Sequence, residues 1–323
     1  MNVTTLEWGI TLGVTISILL FDIVVIARKP HEPTLKECAI ALSFYVGLAL
    51  AFGAWVWIYH GSAYGLEFYA GWLTEYSLSI DNLFVFILIM SSFAVPRKYQ
   101  QEALLVGIIL ALIFRGIFIW LGAVAIKEFS WVFYIFGAFL IYTAFTLLKQ
   151  KEHDDEAENA VVKFARRHLN MTDQWDGLKL WLHENGRRVV TPMALVILAL
   201  GTTDILFAFD SIPAIFGLTK EPYIVFTANV FALMGLRQLY FLLGDMLQRL
   251  VFLSYGLAVL LGYIGVKLLL HALHENELPF INGGHHVPVP EIPTLMSLGV
   301  IIVILTVTAV SSLWYSNRKA KQA

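Results

Sequence analysis

Apolar runs long enough to cross a bilayer recur along almost the whole chain, and this constrains the fold more than any other feature. Nine stretches, at 8–27, 36–59, 66–93, 103–126, 131–149, 190–218, 222–244, 250–270 and 293–316, are predominantly apolar. Each matches what roughly 30 Å of hydrocarbon demands of an α-helix. Only 14% of residues are charged and the mean hydropathy is +0.72, whereas soluble domains carry about a quarter charged residues. The reading is an all-α membrane protein of nine transmembrane helices. Its first partner is the lipid bilayer; nothing points to nucleic acid.

Charge placement sets the expected orientation. Lys and Arg in short loops stay on the cytoplasmic side. Seventeen of them, including Arg28, Lys36, Arg97, Lys98 and Arg318, fall on one side of the alternation, against Lys127 and Lys220 on the other. This puts the N-terminus outside and the C-terminus in the cytoplasm of a multi-pass protein, in a bacterial cytoplasmic membrane. The first span lacks a basic leader and a small-residue cleavage pattern, so it reads as a retained helix. Cys38 is the only cysteine, which removes intrachain disulfides and thiolate metal clusters.

The chain also repeats itself. Span 3 carries Glu75 and Asp81-Asn82; span 6 carries Asp204 and Asp210-Ser211, with the same spacing. Span 4 has Arg115 followed by Gly122 and span 7 has Arg237 followed by Gly244; spans 5 and 8 have Phe136-Gly137 and Tyr255-Gly256. A unit of three spans is odd, so its second copy enters from the opposite side: an inverted repeat, the plan of many secondary transporters. The expected segments are a two-helix start (1–65), a first repeat (66–149), a cytoplasmic loop (150–189), a second repeat (190–270), and an outer loop with a last helix (271–323).

Six charged residues inside spans need a reason to be there. Each costs roughly 2.5–3.5 kcal/mol at a helix centre, so Glu75, Asp81, Asp204, Asp210, Arg115 and Arg237 together cost about 15–20 kcal/mol unless they pair, protonate, face water or bind ions. Four carboxylates face two guanidinium groups, and a divalent cation would balance the difference. Residues six apart lie about 120° off a common face and ~9 Å apart along a helix. Glu75 with Asp81, or Asp204 with Asp210, therefore cannot chelate one ion from a straight helix. Either a helix breaks, as Pro213 would favour by freeing the Phe209 carbonyl, or the ligands come from both repeats. The expected metal site is Asp81 and Asp210 with Asn82, Ser211 and the Phe209 carbonyl, and with Glu75 and Asp204 beside them. Such hard oxygen ligands suit Mn²⁺, Ca²⁺ or Mg²⁺ as a transported substrate, with no prosthetic group.

These segments, Glu75–Pro96, Asp204–Leu218, Asn229–Leu243 and the loop stretch His168–Gly177, resemble the TerC family of membrane proteins, close to its Alx-type members. The resemblance implies export of manganese and places Asn229, Arg115 and Arg237 as supporting polar positions. The family pattern has a Glu three residues before the first Asp of span 6, where this chain has Gly201. The function expected is a secondary exporter of divalent metal ions, working by alternating access with possible proton coupling. The competing expectation is a membrane assembly or insertion factor whose intramembrane charges are structural. No enzyme activity is expected, since the Gly-x-Gly-Asp setting of intramembrane aspartyl proteases is missing.

Other polar residues carry blander readings. Asp22, late in span 1, reads as an end residue or part of a vestibule, and Lys267 as an interfacial anchor. His153 to Glu156 read as a solvated charge run. The segment 271–292, with His271, His274, His285 and His286, reads as a polar loop or a release-side metal relay. The loop 150–189 reads as a partly helical cap near the membrane surface.

Overall fold

The structure is a computed structural model, and it describes residues 1–28, 33–129, 131–149, 172, 174–184, 187–243 and 251–320. Its helices in chain order are α1 (Thr5–Arg28), α2 (Leu35–His60), α3 (Ser62–Ser92), α4 (Arg97–Glu128), α5 (Val132–Lys149), α6 (Pro192–Phe216), α7 (Pro222–Met234), α8 (Leu236–Leu243), α9 (Leu253–His274) and α10 (Thr294–Ala320). Among the described residues, eight helices are long and apolar enough to cross a membrane, and Thr5–Phe21 of α1 is a shorter apolar segment. The protein is an all-α, multi-pass membrane protein.

Local chemistry sets several boundaries. Thr34 and Glu37 form a capping box at the start of α2, satisfying two otherwise orphaned amide groups. Thr191 caps α6, with Pro192 in the first helical position, where its missing N–H costs nothing. Gly61, at φ 107°, reverses the chain between α2 and α3; a side chain there would be strained.

The helix break that Pro213 would favour is corrected. Span 6 does not unwind: α6 runs unbroken from Pro192 to Phe216 with Pro213 inside it. Pro213 lies in the last turn, where one lost donor leaves the helix path intact. The interruption falls in span 7, at Gly235 between α7 and α8. A Cβ at Gly235 would come within 3.0 Å of Leu42 Cδ1, so the kink coincides with a close approach of α2.

The centre of the bundle is built from α3, α4, α6 and α7. The window Pro222–Leu242 is 83% buried, whereas the α10 window is only 11% buried. Helix α10 displays Ile302, Val303, Val307 and Val310 outward, a continuous apolar surface suited to lipid. Helix α3 packs along α7, α6 along α4, and α5 against α9. The α5–α9 crossing is tight. A Cβ on Gly137 would lie 2.9 Å from the Gly265 carbonyl oxygen, and a Cβ on Gly265 would lie 2.9 Å from that of Gly137. Gly256, the position that matches Gly137 in the repeat, packs under Thr308 of α10.

The described part of 150–189 is a turn and a two-stranded antiparallel hairpin, β1 (Trp181–Glu184) and β2 (Arg187–Val190), with Trp181 opposite Val190 and His183 opposite Arg188. The expected partly helical cap over 150–189 is, in its described part, a hairpin and not a helix; residues 150–171, with the charge run His153 to Glu156, lie outside the described residues. After α9 the chain is irregular apart from a 3₁₀ turn at Asn282–Gly284. The Asn276 side chain holds this segment by donating to the carbonyls of Ile281 (2.6 Å) and His285 (3.2 Å).

Candidate functional site

The centre of the bundle is organised around one arginine. Arg115, near the middle of α4, is 1% exposed. Its Nη1 forms an ion pair with Glu75 Oε1 of α3 and donates to Asn229 Oδ1 of α7 at 2.9 Å. Its Nη2 and Nε donate to Asp204 of α6, at Oδ1 (3.2 Å) and Oδ2 (3.4 Å). Four helices thus meet on one guanidinium, whose planar fork suits several oxygen acceptors at once. Asn229 donates from Nδ2 to the Val225 carbonyl in its own helix (2.9 Å), which turns its oxygen toward Arg115. Ser79 donates to Glu75 Oε1 at 3.4 Å.

Glu75, Asp204 and Asn229 are all buried. Two carboxylates on one guanidinium leave one negative charge uncompensated when both are ionised, and a proton or a cation would balance it. Among the described residues, Glu75 Oε2 is buried with no hydrogen-bond partner, as is Ser211 Oγ. Buried polar atoms of this kind are rare in native proteins and call for a reason.

Asp210 belongs to a different neighbourhood. It lies almost two turns beyond Asp204 on the unbroken α6 and accepts from Thr143 Oγ1 of α5 (3.2 Å). The angular offset read from the sequence is realised: the two carboxylates of one helix face different partners. Asp81 is in α3 and Asp22 in α1, but the side chains of both lie outside the described residues. The expected meeting of Asp81 with Asp210 therefore has only its Asp210 side described. Asn82 is buried. Phe209 points half-exposed from α6, one turn before Pro213. Arg237 is in α8, and with the Gln238 amide turned so that its oxygen faces it, Nη2 donates to that oxygen over 2.9 Å. At Gly201 the surroundings are apolar: a Cβ would meet Leu110 Cδ1 at 3.4 Å and Phe114 Cε2 at 3.9 Å.

A second polar cluster lies at the end of the bundle remote from the hairpin. Glu67 of α3 accepts from Thr219 Oγ1 (2.6 Å), and with Lys220, Lys267, His271 and Glu291 it lines a cavity of about 490 Å³. Lys220 forms an ion pair with Glu275 at 2.7 Å. Burial disfavours the ionised Glu275 carboxyl, but the Lys220 hydrogen bond and the neighbouring histidines outweigh it and hold its pKa below the usual range. His271 and His274 lie 3.7 Å from Glu291, and His286 contacts the His274 carbonyl. Among the described residues, no group of three or more His, Cys, Asp or Glu is placed to hold a metal ion.

Sequence reading missed Glu67 and Thr143. Glu67 is an acid near the start of an apolar span, so its signal was available. Thr143 left none, because a hydroxyl in a helix usually bonds its own backbone.

This arrangement of buried acids, one central arginine and an asparagine can be set beside known proteins. The signature of the integral membrane protein TerC family matches residues 60–320. The chain belongs to the TerC family. Its relatives in the family include the uncharacterized membrane protein Rv2723 of Mycobacterium tuberculosis, 46% identical over 328 residues, covering 100% of this chain and 83% of the relative. A membrane protein of Myxococcus xanthus, STKORF319, is 41% identical over 262 residues, covering 81% of this chain and 82% of its own length. The putative membrane-bound redox modulator Alx of Escherichia coli is 37% identical over 331 residues, covering 99% of this chain and 98% of that protein. No solved structure matches.

Proposed function

We propose that this TerC-family protein is a secondary exporter of divalent cations, with Mn²⁺ as the favoured substrate, working by alternating access. The observation that carries the reading is the buried set Glu75–Arg115–Asp204. An ion pair built only for stability would match its charges, whereas among the described residues this one leaves a carboxylate in excess and Glu75 Oε2 without a partner. Unmatched charge at membrane depth is costly and marks ion or proton pathways. The uncompensated charge takes a proton in one state and a cation in another. That exchange couples export to proton entry, with Arg115 holding the two acids within reach of each other. Asp210, Ser211, Asn82 and Asp81 form the rest of the proposed path.

The pairing of helices supports an inverted repeat. If α3–α5 and α6–α9 are two copies, then α3 on α7 and α6 on α4 are the same contact seen twice, and α5 on α9 lies across the axis. Rocking of one copy against the other would then alternate access to the centre.

A second reading takes its cue from the Alx relatives, named as putative membrane-bound redox modulators. Cys38 is the only cysteine and is buried, so no dithiol within this chain supplies such chemistry. Export of a redox-active metal would instead alter redox balance indirectly.

The test is flux in proteoliposomes holding the purified protein, across Mn²⁺, Mg²⁺, Ca²⁺ and Zn²⁺, with and without a pH gradient. Protein-dependent Mn²⁺ movement that Asp210→Asn abolishes supports the proposal. No movement of any divalent ion in intact, loaded vesicles sinks it.

A further inference from the structure

A groove of about 560 Å³ runs along the outside of the bundle between α4 and α6 and ends at the hairpin. Its walls are Leu110 and Phe114 of α4 and the stripe Ala194, Leu198 and Ile205 of α6. Gly201 leaves its floor open. Its one polar side chain on α6, Thr202, donates to the Leu198 carbonyl (2.7 Å) and is satisfied within its own helix. Among the described residues, the groove's only other polar side-chain group is the indole N–H of Trp181 at its hairpin end.

Three features say what fills it. The first is length: Ala194 to Ile205 spans roughly 16 Å at 1.5 Å per residue, close to half of a ~30 Å hydrocarbon core. The groove is therefore one leaflet deep. The second is its mouth, framed by Trp181 and Val190 of the hairpin. Trp181 and nearby Leu178 are exposed, at 59% and 44%, as suits side chains at the headgroup level. The third is charge. Arg188 is exposed and lies two residues from Val190, so it shares the hairpin face of Trp181 and Val190. A guanidinium beside the mouth of an acyl-sized groove is suited to bind phosphate oxygens bidentately.

We propose that this groove is a lipid site: it holds one acyl chain of an anionic phospholipid, with Arg188 on the headgroup phosphate. The lipid fills the seam between α4 and α6, the two helices that carry Arg115 and Asp204. Its occupancy thereby steadies the crossing on which the central charges depend.

The experiment is native mass spectrometry of the full chain in mild detergent, titrated with phosphatidylglycerol or phosphatidylcholine. The expected result is a one-to-one phosphatidylglycerol adduct, retained several-fold better than the phosphatidylcholine adduct. Arg188→Gln should remove that preference while keeping an adduct. Gly201→Trp should fill the groove and lower retention about tenfold, a change worth ~1.4 kcal/mol. Ala194→Trp blocks the mouth by a separate route should Gly201→Trp fail to fold. Equal retention of the two lipids by the unsubstituted chain overturns the headgroup assignment. Undiminished adducts in a folded Ala194→Trp variant overturn the groove. So does a photo-crosslinker at Leu198 that captures residues 150–171 of the same chain in place of lipid.

Discussion

Arg115 on α4 grips Asp204 on α6 side-on, Nη2 to Oδ1 at 3.2 Å and Nε to Oδ2 at 3.4 Å. The same guanidinium also holds Glu75 and Asn229. One side chain therefore ties four helices together at membrane depth, and its removal strands two acids. Breaking a buried pair by deleting one partner costs about 3–5 kcal/mol. Arg115→Met should lower thermal stability in detergent by that order, and Arg115→Met with Glu75→Gln and Asp204→Asn should recover most of it. An unchanged melting temperature in the single variant would contradict the central role of Arg115.

Asp210 stands apart from that cluster, with Thr143 as its partner. Asp210→Asn keeps shape and a hydrogen-bonding group. Stability should change by less than ~1.5 kcal/mol, while Mn²⁺ flux in proteoliposomes should fall at least about tenfold. Flux at the unsubstituted level would remove Asp210 from the transport path.

The α5–α9 crossing tolerates no side chain at its closest point. In Gly137→Ala the new methyl would fall 2.8 Å from Leu269 Cγ and 2.9 Å from the Gly265 carbonyl. Overpacking of this kind costs about 1–3 kcal/mol. Gly265→Ala should cost a similar amount, and the double variant less than the sum, because one shift of the helices relieves both clashes. Thermal melts of the four proteins measure the difference.

At the end of the bundle remote from the hairpin, the Lys220–Glu275 pair should respond to acid. The Glu275 carboxyl is held below its ordinary range in the folded protein. Its contribution is then fully present above the unfolded pKa, about 4.3, and is lost as pH falls through the folded value. The pair is part-exposed, at 45% and 41%, so its worth is under ~1 kcal/mol. Glu275→Gln should be slightly less stable at pH 7, and the two proteins should converge below pH ~4. A gap that widens on acidification would mean that the folded protein does not hold the Glu275 pKa down.

Membrane class and helix positions were legible from the chain because hydrocarbon tests each segment on its own. A run of some twenty apolar residues satisfies its own backbone whatever its neighbours do. The charged positions were legible for the same reason, and helix periodicity correctly separated Asp204 from Asp210. Which charge meets which was decided only in three dimensions. Glu75, Arg115, Asp204 and Asn229 lie on four helices and share no local pattern, so their convergence follows from how α3, α4, α6 and α7 cross. The break at Gly235 in place of Pro213, and the Gly137–Gly265 contact, have the same origin. Both depend on how closely neighbouring helices approach, a distance set by packing and invisible to periodicity.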